Sequence, residues 1–230
     1  MGGLSPEAAA IYTRFLHEEV RTRCGEEHSA NLRSALLNQH RLALACARGE
    51  WTWLSNNLGT VARGLVTAGA EALVFDSSTL HVVAQPLQAA AGVPLLHIIA
   101  ACERALAADG ITCAGLLGTR CAEEEEMWRD WLQKRAGIDI VLPPKRDREL
   151  VAQLIHRELA WGRIKEASRV TMIRTMKALK RAGARGIVVV APELLSITFS
   201  SDTPLAFYGA ARLHACAAVQ WAFAAVPQAV

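Results

Sequence analysis

The sequence predicts an α/β protein made of two pseudo-symmetric halves, each with a parallel sheet, that face each other across a central cleft. Residues 68–79 and residues 182–193 carry this prediction, because each stretch holds a helix end, a short turn, an apolar strand and then small or polar residues. Residues 112–119 repeat the strand and run into a glycine turn ahead of a helix. Ligands of open α/β sheets bind at the carboxyl ends of the strands, so we expect residues 76 and 191 to line the cleft from opposite sides.

The first half alternates helical and strand-like patterns. A helix is predicted over residues 6–24, because Ser5 is a favourable N-cap and Pro6 suits the first turn. The other predicted elements are a strand at 32–37, helical periodicity over 41–68 with a break at Gly49, a strand at 73–75, a helix at about 80–91 and a strand at 95–98.

The second half repeats this alternation, which indicates parallel sheets covered by helices. Its predicted elements are a helix near 100–108, strand 113–117, a helix near 122–135, strand 138–142, helices at about 147–160 and 166–182, strand 187–190 and a last helix at about 210–224. The predicted division puts residues 1–97 and 206–230 in the first half and residues 98–205 in the second.

The composition fits an enzyme-sized protein that binds neither nucleic acid nor membrane. The chain has 230 residues and is 52% hydrophobic, which is enough to bury a substantial core. Its net charge of +3 comes from interspersed positive and negative side chains and is too small to favour nucleic acid. No apolar run is long enough for a membrane span, and no secretory signal is indicated.

The cysteines and histidines do not form a metal-binding pattern. None of the cysteines forms a Cys-x-x-Cys pair, and scattered thiols of this kind are typical of the reducing cytoplasm; they are Cys24, Cys46, Cys102, Cys113, Cys121 and Cys216. His81, His97 and His214 are candidates for a zinc site, but we favour histidines satisfied by hydrogen bonds near strand ends. We therefore predict no metal.

The ordered set of short motifs resembles the aspartate/glutamate racemase family, particularly its broad-specificity amino-acid racemase branch. The matching segments cover nearly the whole chain; they are 2–5, 49–51, 78–81, 93–98, 115–120, 166–169, 213–215 and 217–219. The resemblance implies a two-half α/β fold, a homodimer, and racemisation without metal, pyridoxal phosphate or another cofactor. It also implies two cysteines facing each other across the cleft, one removing the α-proton while the other delivers a proton to the opposite face.

This sequence has neither of those cysteines. Asp76 stands at the first cysteine position and Ala191 at the second. Ala191 cannot transfer a proton, and losing a general acid or base typically lowers the rate about 10²–10⁴-fold. An aspartate with an ordinary pKa near 3.9 is also a weaker base than a thiolate. Asp76 has an alternative interpretation as a helix N-cap.

Other family positions predict contacts with a substrate carboxylate. The predicted substrate-binding residues, including cations near those of some relatives, are Ser5, Arg41, Ser77, Ser78, Thr79, Thr119, Lys165, Pro192 and Glu193. For Arg41 and Lys165 the alternative is a solvated surface charge. Cys121 lies near the cleft in sequence, and we interpret it as a spectator thiol.

The start of the chain lacks an expected element. Family members have an apolar strand before the Gly-Gly turn, and here Met1 stands at that turn. We expect that strand in the middle of the first sheet, so its absence predicts a gap in the core and a weakened first half, or a start that lies upstream.

Three functions remain open from the sequence. The first is a cofactor-independent isomerase or lyase that uses Asp76 as a single acid–base group on a small carboxylate or amino acid. The second is a small-molecule-binding or regulatory protein without turnover, and the third is a nonfunctional remnant of a duplicated gene. We favour the first, in a cytoplasmic homodimer, because the strand-end motifs are largely intact.

Overall fold

The computed structural model describes residues 1–119 and 121–225, and in these residues it contains one four-stranded parallel sheet. The strands are β1 (Cys113–Leu117), β2 (Asp139–Val141), β3 (Gly186–Val189) and β4 (Ala206–Gly209), in the order β2-β1-β3-β4. The register aligns Leu117 with Val189 across β1 and β3. Every residue of β3 is buried, as expected for a central parallel strand with helices on both faces.

Helices surround this sheet and make up most of the first half. They are α1 (Pro6–Cys24), α2 (Gln39–Ala47), α3 (Trp51–Thr67), α4 (Ala84–Ala91), α5 (Ile98–Ala108), α6 (Ala122–Arg129), α7 (Lys145–Arg157), α8 (Glu166–Arg181) and α9 (Ala210–Ala225). A π-helical turn, Asp130–Arg135, continues α6, and short 3-10 helices cover Ser78–Val83, Leu159–Trp161, Pro192–Ser196 and Ser200–Asp202. Among the described residues, no helix is long and apolar enough to cross a membrane.

The second-half strands at 113–117, 138–142 and 187–190 are confirmed with small changes at their ends. Strand β4 was not predicted from the sequence, and its four residues lead directly into α9 without a turn. It pairs with β3, so residues 206–209 lie in the sheet of the second half rather than in the first half. The predicted single helix at 122–135 was also wrong in one respect, because its last six residues form the π-helical turn.

The predicted strands of the first half do not form a regular sheet in the described residues. The segments at 32–37, 73–75 and 95–98 contribute only two isolated parallel bridges, Gly2 with Leu36 and Leu73 with Leu95. These three strand predictions were therefore wrong in extent. The physical reason is that only Met1 and Gly2 lie between the segments at 32–37 and 73–75. Two residues offer too few backbone groups for continuous strand pairing.

The first and last helices pack against each other. Side chains of α1, including Ile11, Phe15 and Leu16, form a buried cluster with Ala211 and Ala215 of α9. Ser5 caps α1 by accepting a hydrogen bond from the Ala8 N–H at 3.0 Å, which fixes where this helix begins. The cap and this cluster together determine the position of α1.

Candidate active site

Asp76 lies at the carboxyl end of the segment that follows Leu73, packed against the start of the chain. Its N–H donates to the Met1 carbonyl at 3.1 Å, and its side chain is only 6% exposed. The carboxylate lies directly on Gly2, where any Cβ would collide with it, so residue 2 must be glycine for this arrangement. A buried carboxylate therefore lies at the end of this segment, packed on Gly2.

Positive and protonated groups surround Asp76. The Met1 ammonium donates to the Val74 carbonyl at 2.8 Å; burial lowers the pKa of this amine, and the charge of Asp76 opposes that shift. Burial, with a further contribution from Asp76, raises the pKa of Tyr12 well above its usual range, so its phenol stays protonated. The Met1 amine and the protonated Tyr12 phenol are therefore the titratable groups that interact electrostatically with the carboxylate.

Ala191 occupies the corresponding position in the second half. It is 3% exposed and follows Val190, whose N–H donates to the Leu117 carbonyl at 2.8 Å. Gly118 turns directly against it with a φ of +97°, and a Cβ built on Gly118 would lie 3.1 Å from the Ala191 methyl. Pro192 and Glu193 follow in a short 3-10 helix, and both are buried. The strand end therefore presents a methyl group where the resemblance implies a proton-transfer group.

The hydroxyl groups after Asp76 connect the two halves. Ser78 Oγ accepts a hydrogen bond from Trp128 Nε1 at 2.9 Å, and Thr79 Oγ1 donates to the Glu124 carboxylate at 3.0 Å. Ser77 is 2% exposed. The Thr79 hydroxyl is already hydrogen-bonded to Glu124. A substrate carboxylate can therefore bind through Thr79 only if this hydrogen bond breaks.

Thr119 has a similar internal partner. Its hydroxyl donates to Glu125 at 3.0 Å, and Arg148 holds both oxygens of the same carboxylate at 2.6 and 2.7 Å. No sequence motif pointed to Arg148, because it lies on α7, far from the strand-end motifs. The structure places a partly buried cation next to Thr119.

Three predicted binding residues have structural or surface roles in this structure. Ser5 is fully buried as the N-cap of α1. Arg41 lies on the exposed side of α2 with its guanidinium 5.2 Å from the centre of the Trp53 ring, and Lys165 pairs with Glu158 at 2.8 Å. For Arg41 and Lys165, these contacts favour the surface-charge interpretation.

A cluster of aromatic and imidazole rings forms around His81, and the sequence motifs did not reveal that these rings meet. The His81 ring lies 4.6 Å from the His97 ring and 5.3 Å from both the His214 and Phe75 rings, measured between centroids. His214 Nε2 lies 2.8 Å from the Leu96 carbonyl, so we assign the ring proton to Nε2. Tyr12 then donates to Nδ1 at 2.9 Å.

All three histidines of this cluster are neutral. Burial lowers the pKa of His97 to about 4 and that of His214 to about 3, and it holds the pKa of His81 well below its usual range. His97 Nδ1 accepts from the Ile99 N–H at 3.3 Å, which agrees with histidines hydrogen-bonded near strand ends. His81 has no hydrogen-bond partner among the described residues. The same residues contain no group of three His, Cys, Asp or Glu side chains able to hold a metal ion.

Cys121 is not a substitute for the missing thiolates at neutral pH. Burial, together with the neighbouring acidic residues Glu124 and Glu123, raises the pKa of this thiol to about 12. A thiolate is the reactive form of cysteine. Cys121 therefore remains a neutral thiol at the start of α6.

The fold is shared with solved structures of racemases. A protein from Yersinia pestis described as a candidate Asp/Glu racemase is 34% identical, with 96% of each chain covered and a TM-score of 0.85. An aspartate racemase homologue from Pyrococcus horikoshii is 23% identical, with 96% of this chain and 97% of that chain covered and a TM-score of 0.81. The aspartate racemase of Picrophilus torridus is 16% identical, with 96% and 92% covered and a TM-score of 0.75.

These likenesses define the class as an α/β protein of the Asp/Glu racemase fold. The chain belongs to the Asp/Glu/Hydantoin racemase family, whose model matches residues 1–190. The resemblance found in the sequence is thereby confirmed.

Proposed function

We propose that this protein is a cofactor-independent isomerase of the amino-acid racemase type, with Asp76 as its single acid–base group and a small carboxylate or amino acid as its substrate. The observation that carries the proposal is the placement of the buried Asp76 carboxylate at the end of its segment, where it packs on Gly2 and interacts electrostatically with the Met1 amine. Family membership supports the reaction class.

A single base gives a defined chemical outcome. Asp76 takes a proton from the carbon next to the substrate carbonyl, and the resulting carboxylic acid returns a proton to the same face. The opposite face meets the Ala191 methyl, which can neither donate nor accept a proton. The expected reactions are therefore proton exchange with retention and same-face proton shifts, whereas inversion is slowed about 10²–10⁴-fold.

The charge of Asp76 also limits the substrate. Two like charges about 4 Å apart repel by roughly 4 kcal/mol at an effective dielectric constant of 20. A second carboxylate on the substrate adds to this repulsion. Monocarboxylates and neutral amino acids are therefore better substrates in this proposal than aspartate or glutamate.

The test is α-proton exchange in deuterated water, followed by proton NMR over a panel of D- and L-amino acids and small carboxylates. The protein should exchange the proton of one enantiomer, and Asp76→Asn should abolish the exchange. Asp139→Asn, at an exposed position of β2, is the matched control and should leave it unchanged. Inversion of configuration by the unmodified protein would contradict the assignment of Ala191 as an inert group.

Restoring the family's pair of thiols should restore two-sided chemistry. The triple variant Asp76→Cys, Ala191→Cys and Pro192→Thr should racemise at least one amino acid. Each single cysteine variant should stay far below the triple variant, because the two groups act as a unit. A folded triple variant without exchange on the whole panel would show that more than the two thiols separates this site from a racemase.

A second candidate is a binding or regulatory protein without turnover. The observation in its favour is that Thr79 and Thr119 already donate to carboxylates of the protein, with Glu124 and Glu125 as their partners. Calorimetric binding of a panel compound without proton exchange would support this candidate over the isomerase.

We also propose a cytoplasmic homodimer. The six cysteines are free thiols, which is typical of proteins in a reducing compartment. Large apolar side chains are exposed on the second half, namely Trp161 (58%), Ile164 (62%), Val170 (58%) and Phe199 (48%). Sedimentation of a 24.9 kDa species at micromolar concentration would contradict the dimer.

A further inference from the structure

Two hydroxyl groups of the candidate active site donate their protons to carboxylates of one helix. Thr79 Oγ1 lies 3.0 Å from the Glu124 carboxylate, and Thr119 Oγ1 lies 3.0 Å from the Glu125 carboxylate. Both glutamates belong to the first turn of α6, where the helix dipole stabilises a negative side chain. An ionised carboxylate can only accept hydrogen bonds, so the hydroxyl is the donor in each pair.

These two hydrogen bonds decide what the hydroxyls can offer a ligand. A hydroxyl has one proton and two acceptor lone pairs. Because each proton is directed at α6, each oxygen presents only lone pairs to any other group. Donation to a carboxylate also polarises the hydroxyl and makes its oxygen a stronger acceptor. Thr79 and Thr119 therefore suit a ligand group that donates hydrogen bonds, such as an ammonium, and they oppose a carboxylate.

The two hydroxyls belong to different strand ends of the candidate active site. Thr79 is three residues after Asp76 in the first half. Thr119 follows Gly118 in the second half, and a Cβ built on Gly118 would lie 3.1 Å from the Ala191 methyl. Since α6 supplies the partner of each hydroxyl, one helix holds both of them in the acceptor orientation.

The cations closest to the predicted carboxylate contacts already have partners. Arg41 lies over an indole ring, and Lys165 pairs with Glu158 at 2.8 Å. Arg148 holds both oxygens of Glu125. A substrate carboxylate would have to displace an existing contact to bind any of these three cations.

The weakness of aspartate as a base favours a substrate with a neutral carbonyl. The reference pKa of aspartate is about 3.9. When the α C–H bond breaks, its proton moves to the Asp76 carboxylate and its electron pair moves to the carbonyl, which becomes an enolate. A substrate carboxylate would then carry a second negative charge, whereas an amide carbonyl takes up only one. An ammonium on the same carbon stabilises the developing negative charge.

We infer that the substrate is a small amino-acid amide, whose α-ammonium donates to the hydroxyl oxygens of Thr79 and Thr119 and whose neutral carbonyl replaces the carboxylate. The inference rests on the proposed function, because it names the substrate of Asp76. It reverses the carboxylate contacts that the sequence predicted for these two hydroxyls.

Four probes separate the two charged groups of an amino acid: alaninamide, alanine, lactamide and lactate. They carry either an ammonium or a hydroxyl on the α-carbon, and either an amide or a carboxylate next to it. Calorimetry at pH 7.0 measures their binding, since an α-amine with a pKa of about 7.7–8.0 is mostly protonated there. One enantiomer of alaninamide should bind about tenfold more tightly than alanine or lactamide, and lactate should bind most weakly. Exchange of the α-proton in deuterated water should also be fastest for this enantiomer.

Glu124→Met tests the orientation of the Thr79 proton. Methionine has a similar length but only a weak acceptor, so the Thr79 proton can turn towards a ligand. The ratio of alaninamide affinity to lactate affinity should fall about tenfold or more. Glu126→Met, at an exposed position of the same helix, makes the same change of charge and should leave the ratio within about twofold.

A second pair of variants tests the hydroxyl itself. Thr79→Val removes the acceptor oxygen and should also lower the affinity ratio about tenfold, whereas Thr79→Ser keeps the oxygen and should retain most of the ratio. This pair decides the question if Glu124→Met does not fold. An affinity ratio that Thr79→Val leaves unchanged would overturn the inference.

The binding and exchange results distinguish this inference from the proposed function. Preferential binding of alaninamide without exchange on any probe would support the ligand assignment and contradict the isomerase. Exchange on alanine or lactate but not on alaninamide would keep Asp76 as the base and overturn the ligand assignment. Lactate that binds as tightly as alaninamide would overturn it too, as would failure of alaninamide to bind the folded protein at millimolar concentration.

Discussion

Mild acid should destabilise this protein, because three histidines remain neutral in the folded state. Burial keeps the pKa of His97 at about 4 and that of His214 at about 3, and the pKa of His81 is also well below its usual range. Histidine in an unfolded chain has a pKa of about 6.5. The folded pKa values are the lower ones, so this stability is fully present above about pH 6.5 and is lost as the pH falls towards 4 and 3.

The size of the effect follows from proton linkage. At pH 5.5 the unfolded chain binds nearly one proton at each histidine, and the folded protein binds almost none. One pKa unit corresponds to about 1.4 kcal/mol, so three histidines give a loss of about 4 kcal/mol. That is a large part of the roughly 5–15 kcal/mol by which domains are stable. The lowered pKa of the Met1 amine adds a loss of the same sign.

The assay is urea unfolding at pH 7.5, 6.5 and 5.5, followed by tryptophan fluorescence. His214→Gln should reduce the loss between pH 7.5 and pH 5.5 by about 1.4 kcal/mol, whatever its effect at pH 7.5. His28→Gln, at an exposed position, is the control and should leave most of the loss in place. A loss below about 1 kcal/mol in the unmodified protein would refute the neutral cluster.

Three further predictions concern the contacts around the site. Ser78→Ala should lower the free energy of unfolding by about 1–3 kcal/mol, because the buried Trp128 N–H loses its acceptor, and a double-mutant cycle with Trp128→Phe should show coupling of about 1 kcal/mol. Gly2→Ala should displace the Asp76 carboxylate, so we expect a lower melting temperature and loss of α-proton exchange; an unchanged variant would contradict the packing. Cys121 should react slowly with iodoacetamide at pH 7.5 and faster as the pH rises, since its pKa is about 12, and rapid labelling of the folded protein at pH 7.5 would refute this.

The sequence by itself determined the fold class and most of the second half. Segments such as β1 and β3 are short apolar runs bounded by glycine and helix ends, so local pattern is sufficient to find them. The order of the strand-end motifs identified the family and drew attention to Asp76 and Ala191. It also predicted a gap beside Met1, because a central strand was expected at that point.

Only the tertiary structure decided how the parts meet. Tyr12 and His214 are 202 positions apart in the sequence, and Thr79 and Glu124 are 45 apart, yet each pair is hydrogen-bonded. No periodic pattern encodes such pairs, since periodicity reports which face of an element is buried and not which residue it contacts. The strand β4 is stabilised by pairing with β3, and the segments beside Met1 lack a continuous partner. Whether an apolar segment becomes a strand thus depends on the neighbour available to its backbone hydrogen bonds, which is a property of the folded chain.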